Sequence, residues 1–140
     1  MAQKIGEIMT QRTITMSTST AVTDAAKAMR EADVGDVMVL DDSEKLRGIL
    51  TDRDIVVRVL AEDRDPSSTT TGDVCSSDVV TAGPEDAVEE VVEKIRNSKV
   101  RRIPVVENGR PVGIVSMGDL AIERDARSAL ADVSAAEPNT

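Results

Sequence analysis

Two runs of the sequence set a hydroxyl and a carboxylate three residues apart, behind a glycine and two aliphatic residues. They read Gly48-Ile49-Leu50-Thr51-Asp52-Arg53-Asp54 and Gly113-Ile114-Val115-Ser116-Met117-Gly118-Asp119. Where a strand runs into a helix, this spacing has two readings. In the first, Thr51 or Ser116 caps the helix and Asp54 or Asp119 reaches back to the N–H of the cap, a reciprocal box that opens many ordinary helices. In the second, the free N–H groups of the helix start face an anion such as a phosphate. The hydroxyl then adds a hydrogen bond, while the carboxylate, an acceptor only, accepts hydrogen bonds from two neighbouring ribose hydroxyls. One such run does not choose between them. Its recurrence at matching places favours the second.

Other constellations carry less. The second run spaces its glycines like a phosphate loop but lacks the following Lys and Ser/Thr, which rejects a Walker motif. Lys99, Arg101, Arg102 and Arg110 make a local basic cluster, a pattern more typical of a solvated surface. Arg102 meets a ligand phosphate only if it turns towards a cleft. Asp41, Asp42 and Glu44 read as turn acids, because no calcium-loop spacing surrounds them. The sequence contains no histidine, so Ser-His-Asp and Cys-His arrangements are missing and zinc lacks its usual ligands. Cys75, the single cysteine, forms no intramolecular disulfide and is expected as a small buried hydrophobe. With no cofactor fingerprint beside the carboxylates, an enzyme is not expected.

The elements that must position these runs follow from an internal repeat. Val22, Ala25, Ala26 and Met29 fall at the spacing of one helix face, and so do Val88, Val91, Val92 and Ile95, 66 residues later. The same offset carries Gly6 onto Gly72, Met9 onto Cys75 and Val34 onto Val100; after one residue is lost in a turn, an offset of 65 superposes the two seven-residue runs. Each copy reads as strand, helix, strand, strand, helix. The first helix is predicted to start near Thr20 as N-cap, and its counterpart at Pro84, with Glu85 and Asp86 favouring the helix dipole. Val37–Leu40 and Ile103–Val106 read as strands, each followed by a turn and a second strand. Asn108-Gly109 is a strong hairpin signal. Pro104 predicts that its strand is an edge or turns its N–H side to a cleft. Residues 1–66 and 67–127 are the expected repeats, joined by a linker over Asp65–Gly72, with a frayed tail over 128–140.

Composition narrows the function. The chain has 140 residues, 40% hydrophobic but with no Phe, Tyr or Trp, so any bound base must be held by aliphatic side chains. A net charge of -9 disfavours nucleic acid and anionic membrane as partners. No apolar run is long enough to span a bilayer and no leader-like apolar segment follows the N-terminus, which predicts a soluble, cytoplasmic protein.

The run Val100-Arg101-Arg102-Ile103-Pro104-Val105-Val106, followed by Gly113 to Asp119, resembles the second half of a CBS domain, and Gly48 to Asp54 repeats the motif intact. The resemblance extends from about Ile5 to Arg127 and is similar to stand-alone bacterial CBS-pair proteins. It implies a Bateman module: two repeats about a pseudo-twofold axis, with clefts for an adenosine-containing ligand such as AMP, ADP, ATP or S-adenosylmethionine. By motif match, Thr51 and Ser116 inherit the role of hydroxyl donor, Asp54 and Asp119 that of ribose-binding carboxylate, and Ile103 and Pro104 the wall near the base. Ile49 and Ile114 are expected to line the same clefts, and Arg53 to offer a phosphate contact that Gly118 removes from the second copy. Met38 stands where the family's proline appears as Pro104. The expected function is regulatory ligand sensing by a homodimer, with the apolar stripe Ile55, Val56, Val59 and Leu60 as dimer face and an unknown downstream protein partner. The alternative is a ligand-free homodimeric interaction or stress-response protein.

Overall fold

In the computed structural model, which describes residues 3–11, 13–98 and 100–120, the chain folds as two matching α/β units. The first runs α1 (Ile5–Ile8), β1 (Thr15–Ser17), α2 (Val22–Ala32), β2 (Asp36–Leu40), β3 (Leu46–Thr51) and α3 (Asp52–Asp54), which continues as a wider π-helical segment, Ile55–Leu60. The second runs α4 (Thr71–Val74), α5 (Val88–Ser98), β4 (Arg102–Glu107) and β5 (Arg110–Ser116), and the chain is helical again over 117–120. Lys99 and the expected tail, 128–140, lie outside the described residues.

The periodic faces become the core. Val22, Ala25 and Met29 on α2, and Val88, Val91 and Ile95 on α5, are buried against the strands of their own repeats. In the first repeat β1 runs parallel to β2, and β2 antiparallel to β3. In the second, β4 and β5 form an antiparallel hairpin closed by Asn108 and Gly109 with φ 55 and 81, the paired positive values that an Asn-Gly turn supplies. The counterpart of β1 shrinks to one parallel bridge, Ala82 to Val105. Pro104 accounts for this. In the first repeat the N–H of Met38 donates to the Ile14 carbonyl at 2.8 Å; Pro104, at the matching place, has no N–H to give.

The repeats exchange their leading segments about a pseudo-twofold axis. Thr10 pairs with Ile114 and Ser76 with Ile49; Lys4 pairs with Ala87 and Thr70 with Ala21. Each bridge of one repeat to the other thus has its mate 65 or 66 residues on. Ile5 is buried in the core of the second repeat beside Val88, Val91 and Ile103. Val74 and Cys75 are buried in that of the first, which bears out the expectation for the cysteine. Met38, Ile49 and Ile114 make a third apolar cluster, between the repeats.

This exchange corrects three sequence expectations. Helix α2 starts at Val22 after Ala21, with no side-chain cap, rather than after Thr20. Helix α5 starts at Val88, four residues beyond Pro84. In both cases the preceding alanine is held extended by the other repeat's leading segment, so tertiary pairing overrides the local signal. The linker is also more ordered than its composition suggests: Thr70 caps α4, Thr71 is wholly buried, and its hydroxyl donates to the Ser17 carbonyl at 2.9 Å.

Candidate ligand-binding cleft

Both hydroxyl–carboxylate pairs sit where a strand passes into a helix, and both form the reciprocal box. The Thr51 N–H donates to Asp54 Oδ2 at 2.9 Å and the Asp54 N–H returns a bond to Thr51 Oγ1 at 3.1 Å. Ser116 and Asp119 repeat this at 3.1 and 3.0 Å. The box uses one carboxylate oxygen in each pair. Asp54 Oδ1 keeps only a long approach, 3.7 Å, from Arg58 Nε. The capping reading is therefore realised, and it leaves acceptor capacity over.

The two strand ends open on one cleft of about 950 Å³ between the repeats. Its walls combine Ile49, Thr51, Asp52, Arg53 and Asp54 with Ser76, Asp78, Val79 and Val80, then Val100, Arg101 and Arg102, and finally Ser116, Met117 and Gly118. The apolar part is aliphatic throughout, as a chain without aromatic residues requires. Arg102 Nε lies 2.9 Å from Asp36 Oδ2. These two residues are repeat counterparts, first in β4 and first in β2, and they meet across the pseudo-twofold axis beside the cleft. Burial pushes the Asp36 carboxyl up from its ordinary value; Arg102 pulls it back and neighbouring Asp52 adds to the rise. Desolvation wins because Arg102 is one partner against the loss of water around a half-buried acid.

Of the residues expected in the site, Thr51, Asp54, Ser116, Ile49, Arg53 and Arg102 line this cleft. The others do not line it. Ile103 is fully buried in the core of the second repeat, packed with Val105 and Val115. Pro104 is buried in β4, and Ile114, 9% exposed, lies in the inter-repeat apolar cluster with Met38. Asp119 holds its cap on Ser116. The sequence reading missed Asp36, Asp52, Ser76 and Asp78. The 66-residue offset carried the signal for Asp36, since applying it to Arg102 lands on an acid near the axis.

Fold and cleft together define a paired-repeat ligand-sensing module. The chain belongs to the CBS-domain family, whose profile matches residues 5–61 and again 72–125. It is 34% identical over 134 residues to the CBS domain-containing protein YhcV of Bacillus subtilis (strain 168), covering 93% of this chain and 94% of that protein. Hypoxic response protein 1 of Mycobacterium tuberculosis is 37% identical over 100 residues, 71% of this chain and 70% of that protein. Among solved structures, the CBS domain pair of protein MJ0100, in complex with 5'-methylthioadenosine and S-adenosyl-L-methionine, superposes with a TM-score of 0.80 at 25% identity, covering 91% of this chain and 99% of that one. The family match is to a regulatory module. Among the described residues, no helix is long and apolar enough to cross a membrane.

Proposed function

We propose that this protein is a cytoplasmic sensor that binds an adenosine-containing nucleotide in the cleft between its repeats and passes the resulting change of shape or assembly to a protein partner. One observation carries the reading: a single cleft gathers both strand ends, with a hydroxyl from each and, at Asp54, a carboxylate whose second oxygen is not used by its own cap. Aliphatic Ile49, Val79, Val80 and Val100 supply a surface for a base, and the structural relative with two adenosine compounds supports that class of ligand. A ligand-free interaction protein draws on Met38, 1% exposed, which with Ile49 and Ile114 fills the apolar centre of the interface.

The absence of Phe, Tyr and Trp makes the test simple. Purified protein that retains a nucleotide will show the ultraviolet band of adenine against an almost empty background, and calorimetry with AMP, ADP, ATP and S-adenosylmethionine will identify which binds. A flat spectrum together with no heat from any of them at millimolar concentration would leave the interaction protein as the function.

A further inference from the structure

Arg102 belongs both to the cleft wall and to an ion pair across the pseudo-twofold axis. Its Nε lies 2.9 Å from Asp36 Oδ2. Its Nη2 and Asp52 Oδ2 flank one backbone position, since a carbon added at Gly35 would lie 3.4 and 3.0 Å from them. The carboxylate is the more enclosed partner, its side chain 20% exposed against 35% for Arg102. The charged groups that face Asp36 are Arg102 from β4 and Asp52 from α3; its neighbour across β3, Thr51, carries no charge. Asp36 thus has one guanidinium as counter-ion and one like charge beside it. With Arg53 and Arg101, Arg102 is also what the cleft offers to a phosphate.

We infer that an anionic ligand and a proton bind together: a phosphate drawn to Arg102 in the cleft leaves Asp36 to be protonated. This rests on the adenosine reading above and names the regulation of that site. Two geometries lead to it. If the guanidinium turns to the phosphate, Asp36 keeps its burial and the charge of Asp52 but loses its counter-ion. If Arg102 serves both through different nitrogens, the phosphate brings a second like charge up to the carboxylate. Either way the charged form of Asp36 becomes costlier and its hold on a proton tightens. Burial already pushes this carboxyl above its ordinary value with Arg102 in place. The coupling is reciprocal, so acid strengthens binding of the anion and alkali weakens it.

Calorimetry of the full chain from about pH 5 to about pH 8 with AMP, ADP, ATP and S-adenosylmethionine, against Asp36→Asn, tests this. The amide keeps the size of the acid and carries no charge, so the variant is expected to bind the anion as protonated wild type does: more tightly than wild type at the alkaline end, and equally at the acid end. The ratio of the two affinities should change by about fivefold or more over that range, the lower end of coupling between sites. The phosphate's own proton, taken up near pH 6, is common to both proteins and cancels in the ratio. Titrations in buffers of different ionisation heat should show more proton uptake on binding by wild type than by Asp36→Asn. Arg102→Ala reaches the same point by a second route: with the link between phosphate and carboxylate gone, it should take up no more protons than Asp36→Asn. Unliganded melting of both variants monitors the fold. A ratio constant with pH, or equal proton uptake by wild type and Asp36→Asn, overturns the inference while leaving nucleotide binding intact, as does binding of S-adenosylmethionine alone. Failure of all four compounds to bind wild type overturns the adenosine reading itself, and the coupling with it.

Discussion

Asp54 and Asp119 each have two oxygens, and the box occupies Oδ2 in both. The cap is thus realised in both pairs, and in Asp54, which lines the cleft, it leaves the second oxygen outside the box for the ligand role proposed above. Replacement by Asn separates capping from the proposed ligand role, because the amide oxygen still accepts from the cap N–H while the charge that would accept hydrogen bonds from a ribose diol is gone. In Asp54→Asn and Asp119→Asn, unliganded stability is expected to fall by about 1 kcal/mol or less, the scale of a weakened cap. Ligand affinity is expected to fall about tenfold or more in at least one of them. Thermal melting with and without nucleotide reads both quantities. Equal ligand-induced shifts in wild type and both variants would reduce the carboxylates to helix caps.

At the scale of elements, the position of each cleft wall depends on how closely one repeat's leading segment lies on the other's strand. Gly48 and Gly113 make that approach possible. A Cβ on Gly48 would run into the Ser76 carbonyl oxygen and come within 2.9 Å of Cys75 Sγ. On Gly113 it would meet Met9 Sδ at 2.5 Å and the Thr10 oxygen at 2.9 Å. Gly48→Ala and Gly113→Ala should each destabilise by about 1–3 kcal/mol, as overpacking does. Gly48→Ala should cost more, because the Ser76 carbonyl, held by the Ile49 N–H, stands closer to the added carbon than does the Thr10 carbonyl, held in the same way by the Ile114 N–H, while the Met9 thioether swings aside. Denaturant unfolding of the two variants checks the order. The glycines themselves were legible in the sequence as the heads of the two runs, as were both amphipathic helices, the four long strands and the Asn108-Gly109 turn, since local periodicity and turn chemistry encode all of these. The exchange of α1 and α4 was not legible. It is fixed by backbone bridges between residues far apart in the chain, such as Lys4 with Ala87 and Thr10 with Ile114, and those leave no periodic trace. The Arg102–Asp36 pair escaped for the same reason, although the repeat offset connects the two positions directly.

At the scale of the whole molecule, the apolar surface left over decides what the module joins. The expected stripe, Ile55, Val56, Val59 and Leu60, does not stand as one exposed face: over the π-helical segment Ile55–Leu60 it divides between the core and the surface. Val59 is fully buried and Ile55 packs partly against the first repeat's core. Val56, Val57 and Leu60 point outward, 55%, 45% and 55% exposed. Three large aliphatic side chains together on one short segment form a patch that self-association would cover, and a symmetric dimer brings the same patch from each chain into contact. A homodimer is therefore the expected state, with light scattering at micromolar concentration returning twice the 14.9 kDa chain mass. Leu60→Glu sets a charge in the middle of that contact and should shift the mass towards the monomer. Because Leu60 is exposed within the chain, its unfolding midpoint under monomeric conditions should stay near that of wild type. A wild-type mass of one chain would remove the dimer, and a Leu60→Glu variant that remains fully dimeric would move the interface to another face of the molecule.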